Sequence, residues 1–246
     1  IIKNYFMVDF FYLLYINVID RNRILKKIRF YSLLRYIIRK IANIILPIYF
    51  KITQTCDNNK LSSQKKKNNR IIISLTSFPA RINKVWLVIE TLLRQSYKPD
   101  IIVLWLSKEQ FKDLKCLPLE LLKQQSRGLM IRMVDGDIRS HKKYYYTLKE
   151  YPNDILVTAD DDIFYDSNWL KILWEKHILY PNSIICSYGY KIMYDENNNL
   201  MKYRDWKPAD IYDINVFFGS GGGVLFPINS FYKDVTNIYL AMQLCP

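Results

Sequence analysis

The run Ile155-Leu156-Val157-Thr158-Ala159 is short, apolar and partly β-branched, and it ends in three consecutive carboxylates, Asp160, Asp161 and Asp162. Read as a buried strand, it carries the acids to the edge of a sheet. Adjacent like charges repel one another and are poorly solvated there, so the arrangement calls for a cation. Donors that are all oxygen suit Mg²⁺ or Mn²⁺. The plainer alternative is a polar turn after a strand, with Asp166 and Ser167 capping the helix that follows.

Three other segments have residue types that could serve such a centre. Thr76-Ser77-Phe78-Pro79-Ala80-Arg81 follows an apolar run and precedes a helical pattern. Its hydroxyls, backbone N–H groups and guanidinium could meet a nucleotide, or Thr76 and Ser77 could simply cap the helix. Arg139-Ser140-His141-Lys142-Lys143 lies just upstream of the acidic strand, where cations beside a metal would suit a diphosphate. A solvated basic helix is the alternative there, with Tyr144, Tyr145 and Tyr146 divided between core and surface. Gly219-Ser220-Gly221-Gly222-Gly223 permits close backbone approach to a ligand, or makes a turn between strands. His141 and His177 have no metal-ligand spacing and read as structural.

The elements that must hold these segments are legible in the hydrophobic period. Ile71 to Leu75 reads as a strand, and Ile82, Val85, Trp86, Ile89, Leu92 and Leu93 fall at helical spacing before the breaker Lys98-Pro99-Asp100. Ile101 to Leu106, Met130 to Val134 and Ile155 to Ala159 continue as strands. Helices are expected over Lys108 to Gln125, interrupted near Pro118, and over His141 to Tyr151 and Asn168 to Tyr180. Alternation of this kind predicts an α/β fold with a mostly parallel sheet covered by helices on both faces. Ligands then bind outside the carboxyl ends of the strands, where the loop after Leu75 and the acids after Ala159 converge.

Charge divides the chain more sharply than hydropathy does. Of the net +13 over 246 residues, +12 lies in residues 1–70, where fifteen lysines and arginines face three aspartates. The remainder is nearly neutral, which excludes nucleic acid as the main partner of the folded domain. Residues 1–53 read as a helical, basic, apolar arm. No uninterrupted apolar run reaches the ~18 residues of a spanning helix, so the arm can lie in a lipid headgroup layer, with peripheral membrane contact through residues 1–50, or pack on its own domain or on a second subunit with its cations solvated. Residues 54–70 are polar and read as a linker, and the catalytic domain is expected over 71–246. Cys56, Cys116, Cys186 and Cys245 stand far apart, matching no metal or disulfide framework, so the expected place is the cytoplasm, at the inner face of the cell membrane if the arm seats there.

Taken together, Ile71 to Arg81, Arg139 to Tyr146 and Val157-Thr158-Ala159-Asp160-Asp161-Asp162-Ile163-Phe164-Tyr165 resemble the nucleotide-sugar domain of GT-A-type glycosyltransferases, in particular bacterial enzymes of surface polysaccharide synthesis. The resemblance spans about residues 71–246 and implies a GT-A-like, Rossmann-type sheet. It implies an Asp-x-Asp motif in which Asp160 and Asp162 hold Mn²⁺ or Mg²⁺ against the diphosphate, with Asp161 at the variable position. It further implies donor contacts at Thr76, Ser77, Arg81, Lys142, Lys143, Asp160 and Asp161, with Gly221 and Gly222 near the donor sugar and acceptor. The implied reaction moves a sugar from a nucleoside diphosphate sugar to a hydroxyl of a glycan or lipid-linked glycan, in polysaccharide or lipopolysaccharide synthesis. Asp210 and Asp213 are candidates for its general base. Such enzymes continue past Leu244-Cys245-Pro246, so the resemblance also implies a domain truncated at its C-terminus, with a base beyond that end as the alternative to Asp210 and Asp213.

Two rival readings remain. Isoprenoid diphosphate chemistry also uses acidic clusters with Mg²⁺, but on a helix and with Asp-Asp-x-x-Asp spacing, which Asp166 misses by one position. A membrane-bound scaffold would make the basic arm the functional part and leave the acids as a turn.

Overall fold

A computed structural model describes residues 6–15, 31–53, 61, 69–210 and 215–244. The arm contributes α1 (Phe6–Leu13) and α2 (Tyr31–Thr53). Then come β1 (Ile71–Thr76), α3 (Ile82–Leu93), β2 (Ile101–Ser107), α4 (Leu119–Lys123), β3 (Leu129–Val134), α5 (Lys142–Glu150), β4 (Ile155–Thr158) and α6 (Trp169–Leu179). Five short strands follow: β5 (Ile185–Cys186), β6 (Gly189–Lys191), β7 (Lys207–Pro208), β8 (Val216–Phe218) and β9 (Val224–Phe226). The last helix is α7 (Ile238–Leu244).

The main sheet runs β3-β2-β1-β4-β9-β5. Its first four strands are parallel, and β9 is antiparallel to both of its neighbours. Near-continuous apolar runs are what strands covered on both faces require. Ile71, Ile73, Leu75, Ile155 and Val157 pack into the same core as α3 and α6, whereas Ile72, Val103 and Trp105 pack against Tyr146 and Tyr151 on the side of α5. The sheet is therefore covered on both sides, as the alternation of patterns predicts. A second, antiparallel sheet runs β7-β6-β8, and Phe218 of β8 meets Phe226 of β9 edge to face with ring centroids 5.6 Å apart.

One predicted helix is absent as such. Lys108 to Gln125 forms a turn, a 3-10 turn at Leu114–Cys116, the five-residue α4 and the start of a second 3-10 turn at Gln124–Arg127. The Asp113 carboxylate accepts from the backbone N–H of Lys115 at 3.2 Å, and Pro118 both breaks the ladder and opens α4.

The arm is anchored to the sheet domain by one face of α2. Ile38, Leu46 and Phe50 are buried in the main core, with Ala42 and Tyr49 against it. The guanidinium of Arg94, at the end of α3, lies over the rings of Tyr49 and Phe50 at 5.6 and 5.0 Å and donates to Thr53 Oγ1 at 2.9 Å. Glu90, fully buried, holds both Arg94 and Arg127 at 2.7 Å. Residues 54–60 and 62–68 of the expected linker lie outside the described residues.

Because Phe50 is fully buried and Ile48 exposed, the two positions should respond differently to truncation. Phe50→Ala is expected to lower unfolding free energy by about 3 kcal/mol or more, and Ile48→Ala by less than about 0.5 kcal/mol, read by urea denaturation of the full chain. Equal losses would show that α2 is not docked as described.

Candidate active site

Thr76 and Thr158, at the ends of β1 and β4, bring the loop to Arg81 beside the acidic turn, and the backbone N–H of Ala159 still donates to Ser74 O at 3.0 Å. Past that point the three carboxylates take different partners. Asp161 is buried; its Oδ2 accepts from Ser77 Oγ at 2.6 Å and its Oδ1 from Arg81 Nη1 at 2.7 Å. Arg81 Nη1 also lies 3.0 Å from Asp162 Oδ2. Asp160 Oδ1 accepts from Lys143 Nζ at 2.6 Å. The hydrogen bond to Asp161, reinforced by the charges of Asp162 and Asp160, raises the pKa of Arg81. Two cations and one hydroxyl thus offset much of the repulsion among the three acids and leave one net negative charge.

Lys143 reaches Asp160 because the start of α5 is fixed. Ser74 Oγ donates to Lys143 O, Thr147 Oγ1 to Lys143 O at 2.8 Å, and Trp105 Nε1 to Ser74 Oγ and Thr147 Oγ1 at 3.0 and 2.8 Å. Lys142 goes elsewhere. Consecutive helical residues point ~100° apart, and Lys142 is buried in an ion pair with Asp137, which Gln110 Nε2 also meets. Burial pushes the Asp137 carboxyl up, but Lys142 and the Arg139 backbone N–H outweigh it and hold the group below its ordinary value.

The acidic turn is backed by aromatic side chains that the sequence reading left without a role. The backbone N–H of Asp160 donates to Tyr165 Oη at 2.8 Å, and the Tyr165 ring packs on Trp169 with centroids 4.3 Å apart. Burial raises the Tyr165 pKa strongly, so the phenol stays protonated. Trp169 Nε1 and Ser187 Oγ donate to Gly222 O at 2.8 and 2.7 Å. Gly223 has φ +85°, and a Cβ there would lie 2.3 Å from Trp169. A Cβ on Gly222 would lie 2.8 Å from Ser187, and one on Gly221 would lie 3.4 Å from Asp160 Oδ2. The close approach that Gly222 and Gly223 permit is thus to protein side chains.

Before the acids lies a cavity of about 1180 Å³. Thr76, Ser77, Arg81, Lys143 and the three aspartates form one wall. Gln110, Asp137, Arg139, His141 and Lys142 form another, and Phe217, Phe218, Phe231 and Tyr232 line an aromatic side. Thr76 Oγ1 is directed away, donating to Trp105 O at 2.8 Å. Gly221 and Gly222 stand behind the lining, Asp210 is exposed and outside it, and Asp213 lies outside the described residues. His141 Nδ1 pairs with the Tyr144 hydroxyl at 2.7 Å, and burial lowers the pKa of His177.

Among the described residues, no group of three or more His, Cys, Asp or Glu is placed to hold a metal ion. Asp161 is committed to Ser77 and Arg81, which leaves Asp160 and Asp162, 26% and 47% exposed. Two carboxylates fit a Mg²⁺ or Mn²⁺ ion that takes its remaining ligands from phosphate oxygens and water.

No protein family matches this chain, and no curated protein does. Solved structures give distant matches. HddC from Yersinia pseudotuberculosis is 12% identical, with a TM-score of 0.40 over 67% of this chain and 80% of that one. Its complex with GMP-PN gives 10% and 0.41 over the same shares. The 4-diphosphocytidyl-2C-methyl-D-erythritolsynthase from Anaerococcus prevotii DSM 20548 gives 16% and 0.42 over 71% and 84%. At TM-scores below 0.5 these likenesses say nothing of activity or ligand.

Lys142→Met removes the partner of a carboxylate that is 23% exposed and should cost about 2 kcal/mol of stability at pH 7. A depressed acid stabilises the fold above its unfolded pKa. The difference between the two proteins should therefore shrink as pH falls below about 4. Urea unfolding across that range measures it, and a difference that does not change with pH would refute the pairing.

Proposed function

We propose that this chain transfers a sugar from a nucleoside diphosphate sugar to an acceptor hydroxyl, with Mn²⁺ or Mg²⁺ as cofactor. The observation that carries the reading is that Asp160, Asp162, Lys143 and Arg81 meet on one wall of a large cavity at the carboxyl edge of the parallel strands. A divalent ion at Asp160 and Asp162 would supply Lewis-acid stabilisation of the departing diphosphate. Lys143 and Arg81 stand within reach of the same charge and can bind and orient it. The bond from the anomeric carbon to the diphosphate oxygen breaks, a bond to the acceptor oxygen forms, and the acceptor proton passes to a base. Asp137 is held in an ion pair by Lys142, and Asp213 stays a candidate for that base.

The arm supports a lipid-linked glycan acceptor and a place at the inner face of the cell membrane. No helix among the described residues is long and apolar enough to cross a membrane. Opposite its buried face, α2 exposes Leu33, Ile37, Ile41, Ile44, Ile48 and Ile52, which recur every three or four residues and so form one stripe. Lys40 and Lys51 are exposed on the same helix, in the part of the chain that holds nearly all the net positive charge. An anionic bilayer surface answers both the apolar and the cationic character.

In this reading Asp162→Asn should weaken binding of nucleoside diphosphate with Mn²⁺ by at least about tenfold and leave the thermal midpoint in place. Calorimetry against UDP, GDP, CDP and ADP measures it. Unchanged affinity would sink the metal assignment. Release of pyrophosphate from a nucleoside triphosphate, instead of nucleoside diphosphate from a sugar nucleotide, would replace sugar transfer by nucleotidyl transfer.

Replacing Ile41, Ile44 and Ile48 together by Ser should lower binding to phosphatidylglycerol vesicles by at least about tenfold, with the fold intact. Raised salt should weaken what remains. Equal binding by both proteins, or indifference to lipid charge, would refute the membrane seat.

A further inference from the structure

We infer that Asp9, on the arm helix α1, is a positioning residue for the acidic turn, so that docking of the arm sets the geometry of the proposed donor site. Asp9 Oδ1 accepts from the backbone N–H of Ser167 at 2.8 Å, and its Oδ2 from Ser167 Oγ at 2.6 Å. The two residues are 158 positions apart, and Val8 and Phe11, on either side of Asp9, are buried in the main core.

Ser167 ends a short loop whose other end is the site itself. Tyr165, two residues back, accepts from the backbone N–H of Asp160, and its own N–H meets Thr91 Oγ1 at 3.3 Å. From α3 and the residues after it, Gln95 Nε2 donates to Asp166 O at 2.7 Å and the Ser96 N–H to Ser167 O at 2.8 Å. These bonds fix the loop's carbonyls. Asp9 fixes its N–H and hydroxyl from the opposite side, through a carboxylate whose charge also suits the N-terminus of α6.

A void of about 10 Å³ is bordered by Val8, Asp9, Phe50, Arg94, Tyr165 and Ser167, and so brings the arm, α3 and the tyrosine to one point. The chain of contacts runs Asp9 to Ser167, along the backbone to Tyr165, and from its hydroxyl to Asp160. If the arm is released, the loop loses its anchor on one side and Asp160 loses a rigid acceptor for its N–H.

The inference rests on the proposed function for its ligand but not for its first readout. In the full chain, Asp9→Ala and the milder Asp9→Asn are compared by hydrogen exchange without ligand. Faster exchange over residues 159–168, unchanged exchange over β1 to β3, and a smaller effect for Asp9→Asn are expected. Unchanged exchange over 159–168 overturns the coupling whatever the protein binds.

The second readout is affinity with Mn²⁺ for whichever of UDP, GDP, CDP and ADP binds the unaltered chain best. Asp9→Ala should weaken it about fivefold, the size of one lost hydrogen-bonded anchor, and leave affinity for the bare nucleoside alone. In a Tyr165→Phe background Asp9→Ala should have little further effect. Full additivity, or a loss shared equally by nucleoside and diphosphate, makes Asp9 merely structural. If the unaltered chain binds none of the four, the proposed function fails, and exchange alone then decides whether Asp9 holds the turn.

Discussion

Unit charges about 6 Å apart repel by roughly 3 kcal/mol at the effective permittivity of a protein surface, and three carboxylates in succession at the end of a buried strand bear that repulsion several times over. Their neutralisation constrains much of what surrounds them. Arg81 must come from the loop after β1, so that loop has to turn back over the sheet edge before α3 begins. Lys143 must come from the first turn of α5, which the hydroxyls of Ser74 and Thr147 and the indole of Trp105 hold in place. The parallel order β1 next to β4 is what puts both cations within reach of the same three residues.

Within that constraint, neighbouring residues are given opposite tasks by backbone geometry. Asp161 is tied inward to Ser77 and Arg81, while Asp160 and Asp162 on either side remain open to the cavity. The strand ends at Thr158 and the chain turns at Asp161 and Asp162, so the three side chains leave the backbone in different directions. A helix divides its residues by a different angle, and the same logic sends Lys143 to Asp160 and Lys142 to Asp137. The two lysines look alike in the sequence and belong to different ion pairs.

This explains what could be read from the chain and what could not. The four parallel strands are visible as short apolar runs bounded by polar breakers, and α3 by apolar residues at helical spacing. The acids, Ser77, Arg81 and Lys143 stand out because polar types cluster at strand and helix ends. The contact between Asp9 and Ser167 has no local signature, since nothing near either residue marks a partner so far away. The charges of α2 do not gather on one face because the helix has two apolar faces, one docked and one open. The stretch from β5 to β9 is built from two- and three-residue strands, too short for a period to register, so the aromatic side of the cavity could not be foreseen.

Charge count adds one more consequence for the proposed reaction. Asp160, Asp161 and Asp162 carry three negative charges, and Arg81 and Lys143 return two. A divalent ion alone would therefore turn the wall from one negative charge to one positive. A sugar-nucleotide diphosphate alone, with one negative charge on each phosphate, would take it to three negative. Together they restore the balance of the empty site. Each ligand removes the electrostatic cost that the other incurs, so the two favour each other's binding, and the coupling must act equally in both directions. In the proposed complex a metal at Asp160 and Asp162 would release Lys143 and Arg81 from those acids and make them available to the diphosphate.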